Sequence, residues 1–109
     1  MDAVIDLKEP TAFSKISFNT NVVKGDWIMG ASNVKVKVSD DGQTFTEVAN
    51  KPIAVLGQND PDGLYPQEVS FAQQNARYVE VIISGCKLPA WHGGAGAPAF
   101  LFVDEIGVE

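Results

Sequence analysis

The sequence predicts an all-β domain built as an antiparallel sandwich or barrel. No segment has the apolar period of an amphipathic helix, and short apolar or alternating runs are separated by turn residues. The clearest run is VKVKV at 34–38, where strict alternation places the valines on a core face and the lysines in water. A chain of 109 residues that is 45% hydrophobic and 20% charged suits one such domain.

Seven strands follow from these patterns, and short turns alternate with long loops between them. The short turns, at residues 8–11, 39–43 and 73–76, contain proline, an Asp-Gly pair or a polar run. If consecutive strands are antiparallel, these turns share one end of the domain and the long loops share the other. The predicted strands are residues 3–7, 13–19, 34–38, 45–48, 67–72, 78–84 and 99–108, and the long loops are residues 20–32, 50–66 and 88–98.

The last strand is apolar on both faces, because phenylalanines at 100 and 102 alternate with aliphatic residues at 101 and 103. Continued strictly, the pleat would place Asp104 on the same face as Ile106. A carboxylate on a core face needs a partner, so we expect either a bulge near Asp104 or a group that pairs with it.

The formal net charge of −6 disfavours binding to nucleic acid or to anionic membranes, because both carry negative charge. Cys86 is the only cysteine and His92 the only histidine, so neither an internal disulfide nor a zinc set is available. No apolar stretch reaches the length of a membrane span, and the first residues do not form a signal peptide.

Four short motifs resemble successive strands of the discoidin-like domain, also called the coagulation factor 5/8 type C domain. They are VIDL at 4–7, VKVSDDG at 36–42, ARYVEV at 76–81 and FVDEI at 102–106. The segment LPAWH at 88–92, with the glycines and the strand that follow it, looks most like the C-terminal domain of bacterial chitobiases, which are β-N-acetylhexosaminidases. The resemblance implies a galactose-binding-like jelly-roll sandwich of eight strands, a carbohydrate-binding role beside a separate catalytic domain, and a periplasmic, cell-surface or secreted location.

The chain departs from the family pattern at its start. Such domains usually begin with an extra strand and loops ahead of the segment that matches 4–7, so we expect residues 1–109 to be a single, N-terminally truncated domain. Those missing loops often help to hold a structural calcium ion in the family. The family's remaining calcium ligands map onto the Glu105 side chain and the Asp104 carbonyl, and we expect this chain alone not to complete that site. The resemblance implies no other cofactor.

The long loops carry the candidate ligand-binding residues. Sugar recognition needs a flat aromatic ring for the apolar face of the sugar and a few fixed polar groups for its hydroxyls. Trp91 is the first candidate for this platform, although it could instead cap the end of the core, and His92 is the candidate for a hydroxyl contact. The alternative platforms are Trp27 and Tyr65, and the possible hydrogen-bond acceptors are Asp26, Asp60 and Asp62, which are equally suited to turns.

No catalytic set is visible in the sequence. Asp104 and Glu105 are adjacent on a strand, so their side chains are expected to face opposite sides and could not flank one glycosidic bond. His92 has no neighbouring nucleophile motif, and Arg77, just before a strand, is expected to pair with a carboxylate or a carbonyl as a structural residue.

Three functions are compatible with these observations. The first is a carbohydrate-binding module of a glycoside hydrolase that binds terminal sugars such as N-acetylhexosamine or galactose weakly. The second is a structural domain that packs on the catalytic domain without binding sugar, through the Leu101/Val103 face and the apolar loop tip at 88–90. The third, a membrane-binding discoidin, is disfavoured by the acidity. We favour the first, because the family tendency and the clustering of the long loops agree.

Overall fold

The computed structural model describes residues 1–54 and 56–109. Within this part of the chain, one antiparallel sheet has the strand order β3-β2-β4-β1-β5. Its strands are β1 (Asp2–Val22), β2 (Asn33–Ser39), β3 (Thr46–Pro52), β4 (Gly63–Ser84) and β5 (Phe102–Val108), and a short 3-10 helix spans Lys24–Asp26. Over the same residues, no helix is long and apolar enough to cross a membrane.

Two of the strands are long and bent. β1 joins the predicted strands at 3–7 and 13–19, and β4 joins those at 67–72 and 78–84. The turns predicted at 8–11 and 73–76 are therefore wrong, because the chain bends there without forming a hairpin. At the first bend the pairing register shifts between Asp6 and Thr11, and Lys8 takes a φ of 75° while its N–H donates to Asp6 Oδ1 at 2.8 Å. A straight strand of 21 residues would span about 70 Å, but the longest dimension of the molecule is 46 Å.

The bends fold the sheet onto itself as a sandwich. One layer contains β3, β2, residues 78–84 of β4 and residues 2–6 of β1, and the other contains residues 63–70 of β4, residues 15–22 of β1 and β5. Ile16 and Phe18 from the second layer share one buried cluster with Val36, Val81 and Ile83 from the first. Burial of these side chains between the layers supplies the main driving force for folding. The prediction of an all-β, antiparallel sandwich is confirmed.

The hairpin between β2 and β3 forms as predicted. The Asp-Gly turn places Gly42 at a φ of 77°, a backbone conformation that favours glycine. Asp41 Oδ1 accepts hydrogen bonds from the N–H groups of Gln43 and Thr44 and from the Ser39 hydroxyl, and these bonds lower the pKa of Asp41 to about 2. A side chain at Gly42 would lie 3.2 Å from the Tyr78 ring, so this turn packs against β4 near its bend.

β5 contains a bulge next to Asp104, one of the two arrangements expected there from the sequence. Asn19 pairs with Asp104 and Ser17 with Gly107, so β5 has one more residue than β1 between these pairs, and Glu105 takes a φ of 52°. Both acidic side chains are exposed, and Asn19 Nδ2 donates to Glu105 Oε2 at 3.3 Å. The expectation that Asp104 and Glu105 face opposite sides is therefore wrong, because it assumed an unbroken pleat.

Arg77 has the structural role predicted for it. Its Nε donates to Asp6 Oδ1 at 2.9 Å and its Nη2 to Asp6 Oδ2 at 3.0 Å, a bidentate pair that joins β4 to β1 beside the bend. The guanidinium also lies 4.9 Å from the centre of the Tyr78 ring. This arrangement lowers the pKa of Asp6 to about 2.

Candidate functional site at the loop end

The three long loops meet at one end of the sandwich. The Ser32 N–H donates to the Ser84 carbonyl at 2.8 Å, and the Ile53 N–H donates to the Ser32 carbonyl at 2.9 Å. The Met29 N–H donates to the Phe100 carbonyl at 3.0 Å, which joins the first loop to the third. The loops cluster as predicted, because each bend in β1 and β4 reverses the chain between layers as a turn would have done. Position 55, within the predicted loop 50–66, lies outside the described residues.

Lys24 connects all three loops. Its ammonium Nζ lies 2.8 Å from Asp62 Oδ1 and also donates to the Asp60 carbonyl, and its backbone N–H donates to Asp62 Oδ1 at 3.1 Å. These contacts lower the pKa of Asp62. Asp60 Oδ2 accepts from the Gly57 N–H at 2.6 Å. Two of the three carboxylates considered as sugar acceptors, Asp60 and Asp62, are thus engaged within the protein.

The imidazole of His92 uses both of its nitrogens internally. Nδ1 accepts from the Gly94 N–H at 2.9 Å, so the neutral ring carries its proton on Nε2. Nε2 then donates to the Lys24 carbonyl, 2.7 Å away. The ring fixes the third loop to the first and has no remaining nitrogen for a sugar hydroxyl, so its geometry is that of a positioning residue.

Trp27 is an exposed aromatic residue at this end. It follows the 3-10 helix with a φ of 63°, and its side chain remains 41% exposed. The indole packs against the third loop at Gly94, where a Cβ would lie only 2.9 Å from its Cζ2 atom. It also makes an edge contact with His92 at a ring-centre distance of 6.0 Å. The loop therefore holds the ring in place while leaving it accessible.

Two of the remaining candidates are half-buried aromatic residues, and the third is an exposed carboxylate. Trp91 is half-buried, with its ring tilted against His92 at 5.9 Å. The Tyr65 hydroxyl donates to the Pro61 carbonyl at 2.6 Å, and its side chain is half-buried. Asp26 is exposed directly before Trp27.

Sequence reasoning missed Lys24 and Gly94, which position the indole of Trp27. The glycines at 93, 94 and 96 are a signal that could have pointed to a close backbone approach, but they do not say which position needs it. The role of Lys24 left no local pattern, because the partners of its side chain, Asp60 and Asp62, are distant in the chain.

The residues that the family resemblance assigns to calcium do not form a site by themselves. Asp104 and Glu105 are both exposed, and Glu105 is hydrogen-bonded to Asn19. Over residues 1–54 and 56–109, no group of three or more His, Cys, Asp or Glu side chains is arranged to hold a metal ion. Calcium takes about six to eight oxygen ligands, so these two residues would supply only part of a calcium site.

Comparison with solved structures finds the same fold inside larger proteins. A rhamnosidase from Novosphingobium sp. PP1Y matches 99% of this chain with 15% identity and a TM-score of 0.61, and the chain covers 8% of that enzyme. The CpGH89CBM32-5 module from Clostridium perfringens, solved in complex with GalNAc-β-1,3-galactose, matches 94% of the chain with 18% identity and a TM-score of 0.54. CBM32-3 from a family 31 glycoside hydrolase of the same organism matches 99% with 18% identity and a TM-score of 0.53.

The chain spans 63% and 66% of the length of these two modules. A search of curated protein sequences gave no match. The model of the F5/8 type C domain matches residues 2–101, nearly the whole chain. The chain therefore belongs to the F5/8 type C domain family.

Proposed function

We propose that this chain is a non-catalytic carbohydrate-binding domain that binds terminal sugars weakly through Trp27. The observation that carries the proposal is the exposed indole of Trp27, held by Gly94 and His92 where the three long loops meet. The fold is shared with two modules of Clostridium perfringens, one of them solved with a bound disaccharide, and this supports the choice of ligand class. Aromatic rings bind the apolar face of a sugar well.

The other candidate residues take supporting roles in this proposal. Asp26 is exposed directly before Trp27 and accepts a hydrogen bond from a sugar hydroxyl. Trp91 supplies a second, half-buried wall, and His92 keeps the third loop against Lys24. Tyr65 lies at the start of β4, and its hydroxyl donates to the Pro61 carbonyl of the second loop.

The proposal extends to the polypeptide around the domain. We place the domain in a glycoside hydrolase of the β-N-acetylhexosaminidase type, in a periplasmic, cell-surface or secreted location. There it would raise the local concentration of the enzyme on its glycan substrate. N-acetylhexosamines and galactose are the sugars to test first.

The alternative is a structural domain that packs on the catalytic domain without binding sugar. The faces first considered for that role do not suit it, because Leu88 is buried and Leu101 and Val103 pack on the core. Phe100 and Phe102 are exposed instead, and their exposure is the observation that favours this alternative.

The test is a titration of isotope-labelled protein with N-acetylglucosamine, N-acetylgalactosamine and galactose, followed by NMR. Under the proposal, shifts concentrate at the indole of Trp27 and at residues 88–98, and Trp27→Ala abolishes them. Trp91→Ala is expected to weaken binding less. The matched control is Val4→Ala. Val4 is an exposed apolar residue in the part of β1 that pairs with Glu80, outside the loop end, so its loss is expected to leave the titration unchanged. Absence of shifts at high millimolar sugar, or binding that survives Trp27→Ala, would refute the proposal.

A further inference from the structure

A second exposed apolar surface lies on the outer face of the layer that contains β5. Phe102 and Leu64 both pair with Asn21, from opposite sides, so the three side chains stand in one row on the same face. Phe102 is 55% exposed and Leu64 60% exposed. Phe100, two residues before Phe102 and about 7 Å from it along the chain, is 61% exposed. We call Phe100, Phe102 and Leu64 the outer aromatic surface.

Polar groups border this surface. Asn21 is exposed between Phe102 and Leu64, and its amide can both donate and accept hydrogen bonds. One row further along the sheet, Asp104 lies beside Asn19, and Glu105 reaches the same asparagine. Aromatic rings next to amides and carboxylates are a combination that suits a hydroxyl-rich ligand.

The outer aromatic surface begins directly beside Trp27. The Phe100 N–H donates to the Trp27 carbonyl at 2.8 Å, and Phe100 forms a parallel bridge with Ile28. The backbones of Trp27 and Phe100 are therefore adjacent, and the two exposed residues lie at the same end of the sandwich.

Area and charge distinguish between the possible occupants. The three side chains expose on the order of 300 Å² in total, whereas a stable protein interface buries about 800 Å² on each partner. The acidic Asp104 and Glu105 beside the rings, and the net charge of −6, oppose an anionic membrane. A neutral glycan chain fits both the small area and the local charge.

We propose that the outer aromatic surface is an extended subsite for a neutral glycan chain that continues from the sugar held by Trp27. The inference rests on the proposed function and makes the ligand an oligosaccharide rather than a single terminal sugar. Stacking on each further ring is expected to raise affinity about twofold to tenfold.

The experiment measures the affinity of the whole chain for N-acetylglucosamine and its β-1,4-linked oligomers of two to four units, and for galactose and its β-1,4-linked oligomers. The expected result is an affinity that rises with chain length in one series. Phe102→Ala and Phe100→Ala remove that rise but change the affinity for the monosaccharide less than twofold, while Trp27→Ala weakens every member. Val4→Ala again serves as the exposed apolar control.

The possible failures are distinguishable. Monosaccharide binding that depends on Trp27 but does not strengthen with chain length overturns the extended subsite and leaves the proposed function standing. A rise with chain length that persists in both phenylalanine variants overturns the subsite as well. Dimerisation in sedimentation experiments, or binding to vesicles of anionic phospholipid, overturns it if either is lost in Phe102→Ala. No binding of any sugar in either series overturns both proposals.

Discussion

Gly94 offers the most direct test of how the loop end holds Trp27. A Cβ at this position would lie 2.8 Å from Leu88 Cδ1 and 2.9 Å from Trp27 Cζ2. Carbon atoms pack best at about 3.5–4.0 Å, so both neighbours would have to retreat by about 0.6 Å or more. Overpacking of this kind costs about 1–3 kcal/mol of unfolding free energy. Displacement of the indole should also lower sugar affinity by about twofold to tenfold, the value of one aromatic stack.

The matched control is Gly93→Ala. A Cβ on Gly93 meets nothing within 4 Å, so this variant should unfold within about 0.5 kcal/mol of the parent protein. Denaturant titration gives the unfolding free energy, and the NMR signal of the Trp27 indole N–H reports the position of the ring. If Gly94→Ala matches Gly93→Ala in stability and leaves the indole signal in place, Trp27 does not pack on the third loop and our account of the platform fails.

Three further predictions concern the rest of the framework. His92→Phe removes both hydrogen bonds of the imidazole, so thermal denaturation should show a free energy of unfolding lower by about 1–2 kcal/mol. Unchanged stability would mean that the ring does not connect the loops. The Arg77 pair and, after it, the hydrogen bond from the Lys8 N–H lower the pKa of Asp6 from its usual 3.8 to about 2, so these contacts contribute stability above about pH 4 that is lost as the pH falls toward 2. Melting temperatures measured across this range should fall less steeply for Asp6→Asn, and identical slopes would contradict the pairing. Gly42→Ala places a side chain at a φ of 77° and 3.2 Å from Tyr78, so it should lower the free energy of unfolding by about 1–2 kcal/mol. Gly25→Ala, with no neighbour within 4 Å, should lower it less. Equal losses in urea titration would refute this reasoning.

The strands could be predicted from the sequence because their side-chain periods are local. The alternation at 34–38 gave β2 its correct face, and Val34 and Val36 are buried. The same local information could not distinguish a turn from a bend at 8–11 or at 73–76, because both need polar or proline residues. Only the pairing of residues 2–22 with 63–82 shows that the chain continues there.

The candidate site was predictable in its place but not in its details. The lengths of the loops indicated which end would carry Trp27, Trp91 and His92. The order of importance of these residues depends on contacts between loops, such as the hydrogen bond from His92 to Lys24, and one sequence does not reveal such contacts. The exposed faces of Phe100 and Phe102 were also hidden, because an apolar residue on either side of β5 produces the same pattern.

The passage of β1 and β4 through both layers has a consequence for how the molecule comes apart. Asp2 pairs with Ile82 and Ile16 with Val108, so strand neighbours are mostly remote along the chain. Pairing residues so far apart requires closing long loops of chain. This slows folding, because conformational entropy is lost before the new contacts compensate for it. Both layers contain parts of β1 and β4, so unfolding of one layer also removes strands from the other. Melting should therefore be all-or-none, with slow recovery on refolding.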